Sequence, residues 1–326
     1  MRWSRGDLTP LPPHIEVSRR LRSSVRPAKT AARLRGTKPL QSFSSHTSRQ
    51  SHTRQLASLP TVSTTVMESL VIKTPCSSAN IGPGFDVIGL ALTVYLELHV
   101  TIDRSKTSTE HPLNCIITYE GQGEGTEDIS LDPQSNLITR VALYVLRCHD
   151  QRAFPVETHV HIKNPIPLGR GLGSSGAAVV AGVMLGKEAG GLKHLDLDRL
   201  FDYCLMIERH PDNVGAALFG GFVGTYLMPL NPEDAARIEI PLSEVLPSPA
   251  GGVDTGKKPP SPPVGIGHHI KFPWAKEIKA VAIIPDFIVP TASARAVLPE
   301  KYPRQDVVRT PCPRTSYAGS SLVPCF

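Results

Sequence analysis

The stretch PLGRGLGSSGAAVVAGV, Pro167 to Val183, sets five glycines and two adjacent serines in front of an Ala/Val run. Glycine loses more backbone freedom on folding than any other residue, so a loop this rich in it needs a reason. Small residues let a bulky polar group press against the main chain. The segment before it, VETHVHIKN, puts Val156, Thr158, Val160 and Ile162 on one face and reads as a half-buried strand. The segment after it reads as a helix of small residues that can pack close to a sheet. Strand, glycine loop, helix is the order that aims free N–H groups and the positive end of a helix at an anion, with phosphate the first candidate. A helix–sheet crossing that simply needs small residues is the other reading.

Several phosphate and acyl-transfer motifs are excluded. G-x-x-x-x-G-K-[ST] is absent, and the nearest following lysine, Lys187, lies deep in the helix. No acidic residue follows where a dinucleotide fingerprint needs one. Ala177 stands where a nucleophile elbow, G-x-S-x-G, requires glycine. A phosphate cradle without its own lysine must use backbone amides, the Ser174 and Ser175 hydroxyls and a metal. A second constellation lies downstream. The helical pattern LDLDRLFDYCLMIE, residues 195–208, turns Leu197, Leu200, Phe201, Cys204 and Leu205 inward and runs into ERHPDNVGAALFGG. Glu208, His210, Asp212 and Asn213 fall within six residues. This is either a helix-to-helix turn with Pro211 in the first position, or a carboxylate that joins a serine hydroxyl on a phosphate-bridging Mg²⁺.

The remaining pattern is mixed. SLVIKTP, GFVGTYL and IKAVAIIP read as strands, and residues 96–103 alternate, with Leu96, Leu98, Val100 and Ile102 on one face. His99 and His161 fall on polar faces, which favours solvated side chains over metal ligands. NLITRVALYVLR, residues 136–147, reads as a helix with Ser135 as N-cap and Leu137, Val141, Tyr144 and Val145 on its inner stripe. Residues 247–267 read as an exposed Pro/Gly/Ser loop. Strands and helices mix without strict alternation, so the fold class is α+β.

Charge is unevenly spread. Residues 1–66 carry 12 Lys/Arg against Asp7 and Glu16, whereas the other 260 residues hold 23 basic and 27 acidic groups. The body therefore lacks the basic field that nucleic-acid binding requires. There is no run of 18 apolar residues, so no membrane span is expected. Six scattered cysteines without a C-x-x-C pair suggest reduced, buried thiols in an intracellular protein. The Arg- and Ser-rich residues 1–66 read as a disordered basic extension. Met67 would then be the natural start and the location cytoplasmic, with a mitochondrial presequence as the alternative.

Three blocks together carry a resemblance. PLGRGLGSSGA is similar to the ATP-binding motif of the GHMP kinases; PCSSANIGPGFDVIGLAL and ERHPDNV with AALFGG resemble the homoserine kinase family within them. LFDYCLMIERHPDN resembles the fungal form in particular. The similarity runs from about residue 67 to 308. It implies an N-terminal domain of the ribosomal-protein-S5 domain 2 type (67–240), a ferredoxin-like C-terminal domain of which 241–308 are the opening pieces, and a tail, 309–326, outside the family pattern. It also implies a reaction, ATP plus L-homoserine giving ADP and O-phospho-L-homoserine, and leaves a homodimer open.

By the same resemblance the cradle for ATP is Pro167, Leu168, Gly169, Arg170, Gly171, Leu172, Gly173, Ser174, Ser175, Gly176 and Ala177. Ser175 or Ser174, with Glu208, would hold Mg²⁺. Asn80, Asp86, His210, Asn213 and Arg295 would line the homoserine site, with Asp86 on the ammonium group and Arg295 on the carboxylate. Asp212, Asn213 and Arg295 would serve the transfer itself, Asp212 either accepting the hydroxyl proton or orienting its loop. The third glycine-rich motif of the family and a further arginine are missing, so a shortened kinase is expected. A non-catalytic ATP-binding module and a different GHMP small-molecule kinase are the competing readings.

Overall fold

The computed structural model describes residues 16–25, 64–82, 84–121, 126–236, 256–275, 277–278 and 281–284. The long strand β3, Ile88–Asp103, organises the sheet. Leu96, Leu98, Val100 and Ile102 are buried, while Glu97, His99 and Thr101 between them stay partly exposed, as period-two alternation requires. β2 (Thr64–Ala79) pairs antiparallel on one side of β3 and β5 (Thr158–Asn164) on the other, and β4 (Cys115–Gly121) runs parallel to β5. β6 (Phe222–Leu227) pairs with the first residues of β3, Ile88 to Leu90, and β7 (Gly267–Phe272) pairs with β6.

Helices α1 (Leu137–Cys148), α2 (Ser174–Ala189), α3 (Leu197–Ile207) and α4 (Pro211–Phe219) pack with the sheet around one apolar core, and the short α5 (Pro232–Ala236) follows β6. α2 is apolar nearly all round and buried along most of its length, the pattern of a helix at the centre of a domain. Its small residues are needed for the α1 crossing: a Cβ on Gly182 would stand 2.6 Å from the Ile138 carbonyl, and one on Gly186 would stand 2.8 Å from that of Ala142. Val141, Leu143, Tyr144, Val145 and Leu146 of α1 are wholly buried; each aliphatic side chain so placed contributes roughly 1.5–3 kcal/mol. Cys76, Cys115, Cys148 and Cys204 are buried and unpaired. Cys312 and Cys325 lie outside the described residues.

Several elements differ from the sequence reading. Asn136 rather than Ser135 caps α1, its side chain accepting from the Ile138 N–H at 3.0 Å, while Ser135 donates to Asp132. Leu137 and Leu197 point outward, 36% and 44% exposed, because each opens its helix and overhangs the core. Residues 16–25, expected to lack structure, form strand β1 on the free edge of β2. Val17 packs against the core, and Arg19 donates to the buried Glu68 at 3.1 Å and pairs with Glu188 at the end of α2. Such tethers hold a strand whose composition alone would leave it disordered. The apolar run at 281–284 is no strand among the described residues, and Val281 is 84% exposed. A β-branched run becomes a strand only where a neighbour offers a ladder.

The described part of the Pro/Gly/Ser segment, 256–266, is a loop exposed at 256–258, 261, 264 and 265, as expected, but it is also anchored. It lies on α1 and α3: the Tyr144 hydroxyl donates to the Pro260 carbonyl at 3.0 Å, and Arg199 donates to those of Pro262 and Pro263. Asp202 is the clamp. Its buried carboxylate accepts from the main-chain N–H groups of Gly265, Ile266 and Gly267 and from Arg199, which delivers β7 to the edge of β6. Asp202→Ala should strip an acceptor from three amides and a cation and cost about 3–5 kcal/mol. Asp202→Asn, which keeps one carbonyl acceptor, should cost less. Urea melts of the two variants test the ranking, and equal midpoints would remove the clamp.

Candidate active site

The glycine loop is held open by backbone geometry. Gly169, Gly171 and Gly173 all have positive φ, 64°, 76° and 62°, a conformation that side-chain-bearing residues rarely adopt. Gly173 is the N-cap of α2 and supplies no side-chain cap. The first N–H groups of α2 are therefore left without the usual capping oxygen and face the loop, as an anion site requires. A Cβ on Gly173 would lie 2.1 Å from Ser77 Oγ and 2.9 Å from Asn213 Oδ1, so glycine is needed at this close approach. Of the two serines, Ser174 is half-buried and its hydroxyl accepts a 3.4 Å bond from Asn164, whereas Ser175 is exposed on the first turn.

The end of β2 meets this loop at an irregularity in the ladder. Pairing with β3 shifts register between Pro75 and Ser77, a bulge of the kind that re-aims backbone groups. The Ser77 N–H donates to the Leu172 carbonyl at 3.1 Å, and its hydroxyl donates to Asn213 Oδ1 at 3.1 Å. Asn213 belongs to the first turn of α4, which starts with Pro211 and, like α2, has no side-chain cap. Two helix N-termini thus converge, with Gly176 of α2 packed against Asn213.

The acidic turn lies beside them. Glu208 pairs with the His210 ring. Asp212 is completely buried; its Oδ1 accepts from the Asn213 main-chain N–H at 2.9 Å and from Asn213 Nδ2 at 3.3 Å, while Oδ2 has no hydrogen-bond partner. Burial pushes its carboxyl up to about 6. The charge of Asp86 adds to that rise, against the pull of His210 and the Asn213 and Asn80 amides. Asn80 and Asp86 share one turn, the Asp86 N–H donating to Asn80 Oδ1 at 2.9 Å with both residues at positive φ. Among the described residues no three His, Cys, Asp or Glu side chains group as a metal cage. A hard cation here would take a carboxylate, a hydroxyl and phosphate oxygens, which is how Mg²⁺ is held alongside a nucleotide.

The structure therefore gathers the glycine loop with Asn213 and Asp212, and links Asp212 to Asp86, Asn80 and His210. Arg295 lies outside the described residues. Asp212 is sealed from solvent, and its carboxylate bonds Asn213. Ser77 and Asn164 were not singled out by sequence reasoning. Ser77 stands inside the PCSSAN block, and Asn164 closes a strand just before Pro165, so position within motifs was the available signal.

Residues 136–221 match the family model of the GHMP kinases N terminal domain. The chain is 56% identical over 245 residues to the homoserine kinase of Saccharomyces cerevisiae, covering 74% of this chain and 68% of that one. It is 50% identical to the homoserine kinase of Candida albicans over 74% of this chain and 67% of the other. A solved homoserine kinase from Cytophaga hutchinsonii superposes with a TM-score of 0.49 at 21% identity, covering 78% of this chain and 66% of that one.

The buried carboxyl makes a pH signature. The folded chain keeps a proton on Asp212 up to about pH 6, whereas the unfolded carboxyl releases it near 3.8. The native state thus binds more protons between those values, and stability falls as pH rises through the window. Relative to Asp212→Asn, the wild type should gain ~1.4 kcal/mol on going from pH 7.5 to pH 5. Paired urea melts at the two pH values test this; parallel shifts in both proteins would remove Asp212 as the titrating group.

Proposed function

The chain belongs to the homoserine kinase family of the GHMP kinases, and from that premise we propose that it moves the γ-phosphoryl group of ATP onto the side-chain hydroxyl of L-homoserine. The bond from the γ-phosphorus to the bridging oxygen breaks, a bond to the homoserine oxygen forms, and ADP and O-phospho-L-homoserine leave. The observation that carries the reading is the junction of Gly173, Ser77 and Asn213, which supports a phosphate cradle directly beside an amino-acid site.

In this reading the α2 amides and the loop from Pro167 to Ala177 receive the ATP phosphates, with the exposed Ser175 hydroxyl turned to them. Ser175 and Glu208 would hold Mg²⁺, which neutralises charge on the phosphate oxygens when bound. Glu208 must then leave its pairing with His210. Asp86 would face the homoserine ammonium group, and Arg295 its carboxylate, with Asn80, His210 and Asn213 fixing the rest of the molecule. Phosphoryl transfer through a loose transition state depends on alignment and charge neutralisation more than on a base. The sealed Asp212 fits that economy: it orients Asn213, and the hydroxyl proton passes to an oxygen of the transferred group.

The deciding experiment is ADP release by the purified chain at saturating Mg-ATP, with and without L-homoserine. Release that depends on homoserine supports the kinase, and binding of ATP without release would leave a nucleotide-binding module. A panel of other small alcohols in the same assay separates homoserine from other GHMP substrates. Glu208→Ala should lower turnover by about 10²-fold or more, the scale for losing a main electrostatic stabiliser; near-wild-type rates would remove Glu208 from the metal site. Asp212→Asn should cost about tenfold or less, whereas a loss of ~10³-fold would fit a general base.

A further inference from the structure

We propose that Ser77 is a positioning residue for the transfer, anchoring the carbonyl end of the Asn213 carboxamide and the register of the glycine loop; this rests on the kinase reading of the same junction. The orientation follows from donor and acceptor chemistry. Asn213 lies between Asp212 Oδ1, 3.3 Å from its Nδ2, and Ser77 Oγ, 3.1 Å from its Oδ1. An ionised carboxylate can only accept, so the carboxamide must turn its NH₂ to Asp212. Its oxygen then faces Ser77, whose hydroxyl has to donate. Without that donor the carbonyl end of Asn213 loses its partner, and the carboxamide is held at its NH₂ end alone.

The second grip is on the loop. Pro75 has no N–H, and the register shift that follows it brings the Ser77 amide to the Leu172 carbonyl, one residue before the helix cap. Ser77 is wholly buried, and even a methyl on Gly173 would meet its hydroxyl at 2.1 Å. Removing the hydroxyl leaves a gap of about one oxygen atom, well below the ~30 Å³ that a water molecule occupies in the liquid. Solvent therefore does not replace the lost donor. One serine thus ties the cradle for the phosphates to the residue that faces the acceptor, so the two halves of the site keep a fixed separation.

The test is a double-mutant cycle on the full chain, reading kcat/KM for homoserine-dependent ADP release. Ser77→Ala should lower kcat/KM about tenfold (~1.4 kcal/mol). On an Asn213→Ala background, Ser77→Ala should cost less than twofold, because the group it acts through has gone. An undiminished rate in Ser77→Ala, or a full tenfold loss on the Asn213→Ala background, would each overturn the role. Should the wild type release no ADP, the same cycle is read in the Kd of a fluorescent ATP analogue, with the same pattern of coupling expected. In that case the catalytic reading has failed on its own, and additive effects on Kd would overturn the Ser77 role separately. A wild-type chain that binds no analogue overturns both.

Discussion

Everything at the site depends on how closely the start of α2 approaches the start of α4. The two helices meet at Gly173 and Gly176 on one side and Asn213 on the other, with Ser77 wedged at the contact. A side chain at Gly173 would push Ser77 and Asn213 away. The start of α2 has no side-chain cap, so the positive end of its dipole is directed at this region. That places positive potential beside the loop proposed to hold phosphate. The buried Asp212 carboxylate sits just behind it and gives back part of that potential as a grip on Asn213.

The remainder of the fold serves to bring these helix ends together. α2 can run through the middle of the domain because Gly182 and Gly186 let α1 lie against it, and because Thr74 of β2 donates to the Ala177 carbonyl at 3.1 Å. β3 spans both halves of the sheet, pairing with β5 in its later residues and with β6 in its first ones. The sheet therefore connects the strand that leads into the glycine loop to the strand that follows α4. Far from the site, Asp202 and Arg199 hold residues 262–267 on α3 and let β7 complete the sheet. A proline-rich segment is well suited to this, since its carbonyls are free to accept and its backbone loses little entropy on docking.

Much of this was legible in the residues. The alternation around Leu96 to Ile102, the small-residue helix after the glycine loop and the acidic turn at 208–213 are local patterns with periods of two or 3.6, and the chain follows them. β1, β7 and the cap of α1 were not legible, for different reasons. β1 exists because the edge of β2 and the Glu68 and Glu188 carboxylates lie in reach of Arg19. β7 exists because a carboxylate 63 residues or more upstream collects its amides. The cap went to Asn136 and not its neighbour because Ser135 is already engaged with Asp132.

By itself the sequence determined the α+β class, the glycine-rich loop ahead of a helix and the family, because each rests on residue type at short spacing. Steric freedom at Gly173, the absence of a lysine after the loop and the Glu-x-His-x-Asp-Asn run are properties of neighbouring residues. Only the tertiary structure decided that Asp212 is sealed from solvent, that Ser175 and not Ser174 is the exposed hydroxyl, and that Ser77 bridges loop and turn. Those outcomes depend on burial and on contacts across more than 100 residues of chain, such as the 136 that separate Ser77 from Asn213. Local pattern carries no information about which distant group will arrive to supply a donor or exclude water. The family fixes the chemistry that is attempted, and the packing of α2 against α4 fixes which atoms are available for it.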